Sequence, residues 1–232
     1  MKKYLYLLVT SVIFGILFIS CVPPVYIPNS LNTPLLKEKG GTNVGYNQSF
    51  AGHDFQTSYA ISNSIGLMIN GTYFSNVHGT HNRKHKFAEF GIGHLSDSNK
   101  YLVGEIYFGA GLGSNSINEE IFNLFASDEE VRVNASYIRF FLQPVFGGHT
   151  EIFEGGFSLR MCYINFYKIN HSNIDFPREK ILFEPAVFMR FGPPVFKFQT
   201  QFGLSFTPFQ KQDIFYEELI FGCGFNVILN IK

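Results

Sequence analysis

The groups in this 232-residue chain that could do chemistry are three cysteines, seven histidines and a balanced set of 18 basic and 18 acidic side chains. Cys21 stands out. It follows Phe18-Ile19-Ser20 at the end of an apolar run from Tyr4 to Ile19, which Met1-Lys2-Lys3 precedes. Two lysines, an apolar run and a small residue before the cut make a secretory signal, here residues 1–20. A thiol placed directly behind that small residue can take a diacylglycerol before cleavage, so Cys21 is expected to be the lipidated mature N-terminus. The run is about 16 residues, shorter than the roughly 20 that cross a bilayer comfortably, and no basic cluster follows it.

The remaining reactive groups point nowhere so definite. His78, His81 and His85 fall within eight positions and could ligate zinc or copper through imidazole nitrogens. Gly79 and Asn82 argue for a loop rather than a helix, and Arg83 and Lys84 disfavour a nearby dication. A solvated external loop without metal is expected. No G-x-S-x-G and no phosphate-cradling glycine loop occur. His94 with Ser96 is the nearest approach to a Ser/His pair. No catalytic residue, enzyme activity or cofactor is expected. The zero formal charge gives no electrostatic case for nucleic acid.

The elements that must position these groups show in the period of the sequence. From Gly41 onward apolar and polar residues alternate strictly, which means strands with one wet and one dry face. In 219–232 the odd positions are apolar; in 195–208 Phe196, Phe198, Phe202, Leu204 and Phe206 oppose Lys197, Gln199, Gln201, Ser205 and Thr207. About ten such segments fall at 42–50, 55–62, 65–74, 86–95, 101–113, 134–147, 153–168, 180–191, 195–207 and 217–231. Their links are short after even-numbered segments and longer and polar after most odd-numbered ones. Such a chain is expected to form an all-β, up-and-down antiparallel barrel of outer-membrane type, with short turns on the periplasmic side. A helical turn or two is expected within 117–126. On the same alternation Cys162 and Cys223 lie on opposite faces of the wall and stay unpaired. Residues 21–40, punctuated by prolines and without a sustained period, read as the lipidated N-terminus and an extended tether, and 41–232 as the barrel.

With the apolar faces outward, Glu89, Glu105 and Glu184 face inward together with Arg139, Arg160, Arg190 and Lys197. Buried charges must be paired, so an ion-pair network filling the lumen is expected, not a transport path. Glycines 91, 93, 109, 111, 222 and 224 are expected to make room for those long charged chains. Tyr73, Phe74, Tyr101 and Tyr107 are expected at the membrane interfaces.

Phe18-Ile19-Ser20-Cys21 resembles a bacterial lipobox, with Phe18 in place of the usual Leu. The stretch YIPNSLNTPLLKEKG, followed by repeated amphipathic strands, resembles uncharacterised barrel lipoproteins of Gram-negative outer membranes. That resemblance covers essentially the whole mature chain; it implies location and fold but no activity, and Val22 after the cysteine implies sorting to the outer membrane. The chain ends Asn230-Ile231-Lys232, unlike the many such barrels that end on an aromatic residue. Expected, then, is a monomeric, lipid-anchored integral outer-membrane barrel with a structural or interaction role. Its N-terminus would be held on the periplasmic side, its surroundings would be outer-membrane lipid, and its long loops would be free for an envelope protein. The alternatives are a tethered periplasmic barrel enclosing a small apolar ligand, with the aromatics turned inward, or a membrane lipid-modifying enzyme.

Overall fold

The computed structural model describes residues 24–78, 81–96, 101–121, 129–171, 178–208 and 216–230. Ten strands follow in order: β1 (Gly41–Ser49), β2 (Gly52–Ala60), β3 (Ile65–His78), β4 (His81–Leu95), β5 (Leu102–Ile121), β6 (Glu129–His149), β7 (Phe153–His171), β8 (Glu179–Phe191), β9 (Phe196–Leu204) and β10 (Leu219–Asn230). Each pairs antiparallel with its neighbours in sequence, and β1 pairs with β10 from Gly41↔Asn230 to Ser49↔Gly222, closing the barrel. Closure leaves the sheet without an edge strand.

The alternation predicts the faces correctly because burial switches residue by residue. Phe196, Phe198, Phe202 and Leu204 are exposed, while Lys197, Gln199 and Gln201 between them are buried. Cys162 is buried inside and Cys223 sits half-buried on the outer face with Phe221 and Phe225, both thiols free. On β5 the outward Leu102, Ile106, Phe108 and Leu112 form an apolar stripe. From 102 to 112 is ten steps, about 33 Å along the strand. At a tilt of about 40° that is a height of roughly 25 Å, the thickness of a barrel's lipid-facing band.

Strand ends depart from expectation on one side. One rim carries the links 61–64, 96–101, 150–152 and 192–195 and is called the turn rim; the opposite one is the loop rim. At the loop rim β5, β6 and β7 run to 20, 21 and 19 residues. Much of the expected 114–133 loop is therefore strand, its polar residues Ser114 and Ser116 continuing the outer face above the apolar stripe beside Asn134. Residues 117–121 are strand, not a helical turn; 122–126 lie outside the described residues. The expected histidine loop is likewise a tight hairpin, since β3 reaches His78, which pairs with His81.

The larger correction concerns the segment before β1. Residues 25–36, expected as a tether outside the barrel, are buried in the lumen. Val25, Tyr26, Leu35 and Leu36 join Phe87, Tyr107, Tyr137, Phe141, Phe166 and Phe188 in one apolar cluster. Tyr107, expected at an interface, is fully buried within it, while Tyr73 and Tyr101 are exposed. Gly91, Gly93 and Gly109 make room for these rings, whereas Gly111 meets both Phe87 and the side chain of Glu89, Gly222 faces Ser30 of the inserted segment and Gly224 the backbone of β1. A methyl group on Gly109 would lie 2.5 Å from Phe141 and one on Gly93 would lie 2.4 Å from Tyr107. One on Gly147 would lie 2.7 Å from Leu35 of the inserted segment.

Candidate functional site: a lumen filled by the chain's own N-terminal segment

Of the seven inward charges read from the sequence, four converge at mid-lumen. Arg139 on β6 ion-pairs with Glu89 on β4. Arg160 on β7 meets Glu184 on β8 at 2.5 Å and Glu89 at 3.9 Å. Neighbouring strands bring Arg160 and Glu184 together as register partners, whereas Arg139 reaches Glu89 across β5. The inserted segment then completes the cluster. Tyr26 donates its hydroxyl to Glu184 (2.9 Å) and accepts from Arg139 (2.7 Å). The Asn29 side-chain oxygen accepts from both guanidiniums, at 2.9 and 3.1 Å, and its carbonyl accepts from Arg160 at 3.0 Å. Two arginines side by side are thus balanced by two carboxylates and bridged by one amide from the plug.

The other three charges are placed apart from this cluster. Arg190 pairs with Glu154 (3.2 Å), a residue the alternation did not single out, and donates to the Thr33 carbonyl and hydroxyl. Glu105 is not part of an arginine network; it accepts the backbone amides of Leu35 (3.2 Å) and Leu36 (2.5 Å). Lys197 donates to the carbonyls of Glu151 (2.8 Å) and Gly192 (3.4 Å) at the turn rim. A single shared network is therefore replaced by a column of separate clasps, because a chain passing down the axis divides the lumen.

Those clasps read the plug's backbone one group at a time. Asp54 accepts from the Ser30 amide (2.9 Å), the Ser30 hydroxyl (2.6 Å) and Thr72 (2.7 Å). Gln201 closes a two-point contact with Leu31, accepting from its amide at 2.6 Å and donating to its carbonyl at 3.1 Å. Gln143 donates to the Asn32 carbonyl (2.6 Å), Asn43 to that of Pro34 (3.1 Å), and Gln56 to that of Ser30 (2.9 Å). Prolines 24, 28 and 34 have no amide hydrogen to satisfy. An extended segment that forms no strand of the wall is thus buried with much of its backbone served by side chains of the wall. Leu35, at φ 54°, is where the plug turns toward β1. Non-glycine residues rarely hold that conformation, and Glu105 fixes both amides of the turn.

The plug's direction follows from one strand. Asn115 donates to the carbonyls of Pro24 (2.7 Å) and Val25 (3.4 Å), and Glu105 holds Leu35 and Leu36. β5 runs from the turn rim to the loop rim, so Pro24 lies at the loop rim and Leu36 near the turn rim. The bridge of Tyr26 to Tyr216 and the Glu217 amide donating to the Tyr26 carbonyl (3.0 Å) secure the upper end. The chain before β1, expected beneath the turn rim, is therefore delivered to the opposite rim.

Among the described residues, the reactive groups weighed earlier do not come together in one centre. His85 is buried in the lumen against the Ala51 carbonyl (3.1 Å) and the Tyr137 hydroxyl (3.4 Å), not in a solvated loop. The side chains of His78 and His81 lie outside the described residues, as does Cys21. His94 is exposed on the outer wall, and the Ser96 hydroxyl accepts from the Gly104 amide (3.1 Å). Among the described residues no three metal-binding side chains come together. No family model matches the chain, and no curated protein resembles it closely enough to count as a match.

Proposed function

We propose that this protein is an integral outer-membrane β-barrel, sealed by its own N-terminal segment and anchored through a lipid on Cys21, with a structural or anchoring role rather than conduction or catalysis. One observation carries the reading: the wall turns its large apolar side chains outward over a height of about 25 Å, while its lumen is filled by residues 25–36 held in polar clasps. Phe198, Phe202 and Phe225, each more than two-fifths exposed, have no water-soluble reason to stand on an outer surface where few charges interrupt them. Room for a small apolar ligand is what the plug occupies.

The lipid belongs to this reading through the chain's path. Three residue steps, at most about 11 Å of extended chain, connect Cys21 to Pro24. An anchor on Cys21 therefore enters the leaflet beside the loop rim, not the periplasmic leaflet expected from where β1 begins. With short turns in the periplasm, that leaflet is the outer one.

Carbonate extraction with gel mobility before and after boiling tests the membrane reading. The wild type and Cys21→Ser should both remain in the membrane pellet and both shift mobility on boiling. Release of Cys21→Ser by carbonate would replace the reading with a tethered soluble barrel. A protease site inserted between Val22 and Pro23 tests the anchor's side: protease added to intact cells should cut it.

A further inference from the structure

Just above the apolar stripe, four neighbouring strands change the character of the outer wall. Register sets Lys86, Ser114, Ser136 and Lys168 side by side across β4, β5, β6 and β7. The next row outward is Lys84, Ser116, Asn134 and Asn170. Lys84, Lys86 and Lys168 are exposed, and none of the three forms an ion pair with a described residue. These rows line a recess of about 370 Å³ on the loop-rim side. The cations thus sit at the boundary with the stripe.

One row inward the register partners are Ala88, Leu112 and Ile138, on the lipid-facing surface. Lys86 also lies 6.0 Å from the ring centroid of Tyr73, an exposed aromatic at the same level. A ligand that satisfies both surfaces is an amphiphile, with anionic oxygens among the lysines and hydroxyls and acyl chains along the stripe. The width of the recess narrows its chemistry. Lys86 and Lys168 flank three strand spacings, about 14 Å, more than one phosphate bridges. Hydroxyl and amide groups fill the interval, suited to sugar hydroxyls.

We infer that this recess binds the head of a phosphorylated glycolipid in the leaflet beside the loop rim, with Lys86 and Lys168 on separate phosphates, Lys84 reinforcing the first, and Ser114, Ser136 and Asn134 facing the sugars between. The site rests on the proposed membrane integration but not on the modification of Cys21, and it assigns the barrel a selective lipid partner.

The test uses the full mature protein in neutral phosphatidylcholine vesicles doped with a bisphosphorylated disaccharide glycolipid, its dephosphorylated form, or phosphatidylglycerol, with bound lipid read by native mass spectrometry. Wild type should retain the bisphosphorylated glycolipid in preference to the other two. The triple variant K84Q/K86Q/K168Q should lose about a hundredfold in retention, since each surface lysine contributes about fivefold toward an anionic lipid. K37Q/K39Q, at the turn rim, should retain it as the wild type does. Equal retention by wild type and triple variant, or retention of phosphatidylglycerol to the same degree, overturns the site. Flotation with the vesicles and the boiling-dependent gel shift separate this from the parent reading: protein that floats and shifts without discriminating refutes the glycolipid site alone, whereas protein that fails to float refutes membrane integration.

Discussion

Removing the Glu105 carboxylate should free the lower end of the plug and leave its upper end in place. Glu105 is buried and accepts two amides of a turn whose Leu35 sits at φ 54°. Hydrogen bonds to a charged group contribute about 1.5–3 kcal/mol each, and left-handed backbone at a non-glycine residue costs roughly 1–2 kcal/mol. Glu105→Ala removes both acceptors while the strain remains, so the local cost should be about 3 kcal/mol. Glu105→Gln keeps one oxygen but opposes an amide N–H with its own NH₂, and should cost about half as much. The readout is maleimide labelling of a cysteine at Leu36, in a Cys162→Ala/Cys223→Ala background. If labelling proceeds through local opening, about 3 kcal/mol corresponds to a rate increase on the order of a hundredfold for Glu105→Ala. A second probe at Ile27 should remain protected, because Asn29 and Tyr26 stay bound to Arg139, Arg160 and Glu184. Labelling within about twofold of the parent at Leu36 would refute the clasp. Equal opening at Ile27 would refute the independence of the clasps.

Three further outcomes are expected. Purified wild type should show no stable conductance in planar bilayers, and Glu184→Ala should lose about 3–5 kcal/mol of stability by stranding Arg160 without opening a path; deletion of residues 25–36 should give a current, and a folded deletion barrel that stays closed would refute the seal. Phe202→Arg or Phe225→Arg should cost about 2–4 kcal/mol near the membrane midplane, measured by denaturant titration in lipid; no loss at either site would reverse the inside-outside assignment. Arginine at Gln201, which looks mild from alternation alone, should instead be as damaging, because Gln201 is buried and clasps Leu31 on both sides; if stability is unchanged, that clasp contributes nothing.

The wall was legible in the sequence because one physical rule, apolar out and polar in, repeats along every strand. Arg139, Arg160 and Glu184 were found because charges stand out against that pattern, and strand neighbours bring them together whatever fills the lumen. The plug was not legible, because an extended segment without strand partners has no period to read. Its signature was compositional: Val25, Tyr26, Ile27, Leu31, Leu35 and Leu36 are too many apolar side chains for a solvated tether. Asp54 fell before the segment read as 55–62, although β2 begins at Gly52; Gln56 and Gln201 escaped for the complementary reason. An inward polar residue on an alternating strand looks like any other, and its role as a clasp depends on a chain it meets only in the folded barrel.

Closure between β1 and β10 has a topological consequence. The segment 25–36 lies inside a ring of backbone hydrogen bonds, so the last pairing to form must close around a chain already in place. Once closed, the molecule is a lasso. Withdrawing the N-terminal end through the lumen toward the turn rim would drag Tyr26 past the guanidiniums at mid-lumen, and the acyl chains proposed for Cys21 would be too wide to follow. Unthreading would then require opening the β1–β10 seam itself. The barrier to withdrawing the plug becomes the barrier to breaking the barrel, and the seal is kinetic as well as thermodynamic.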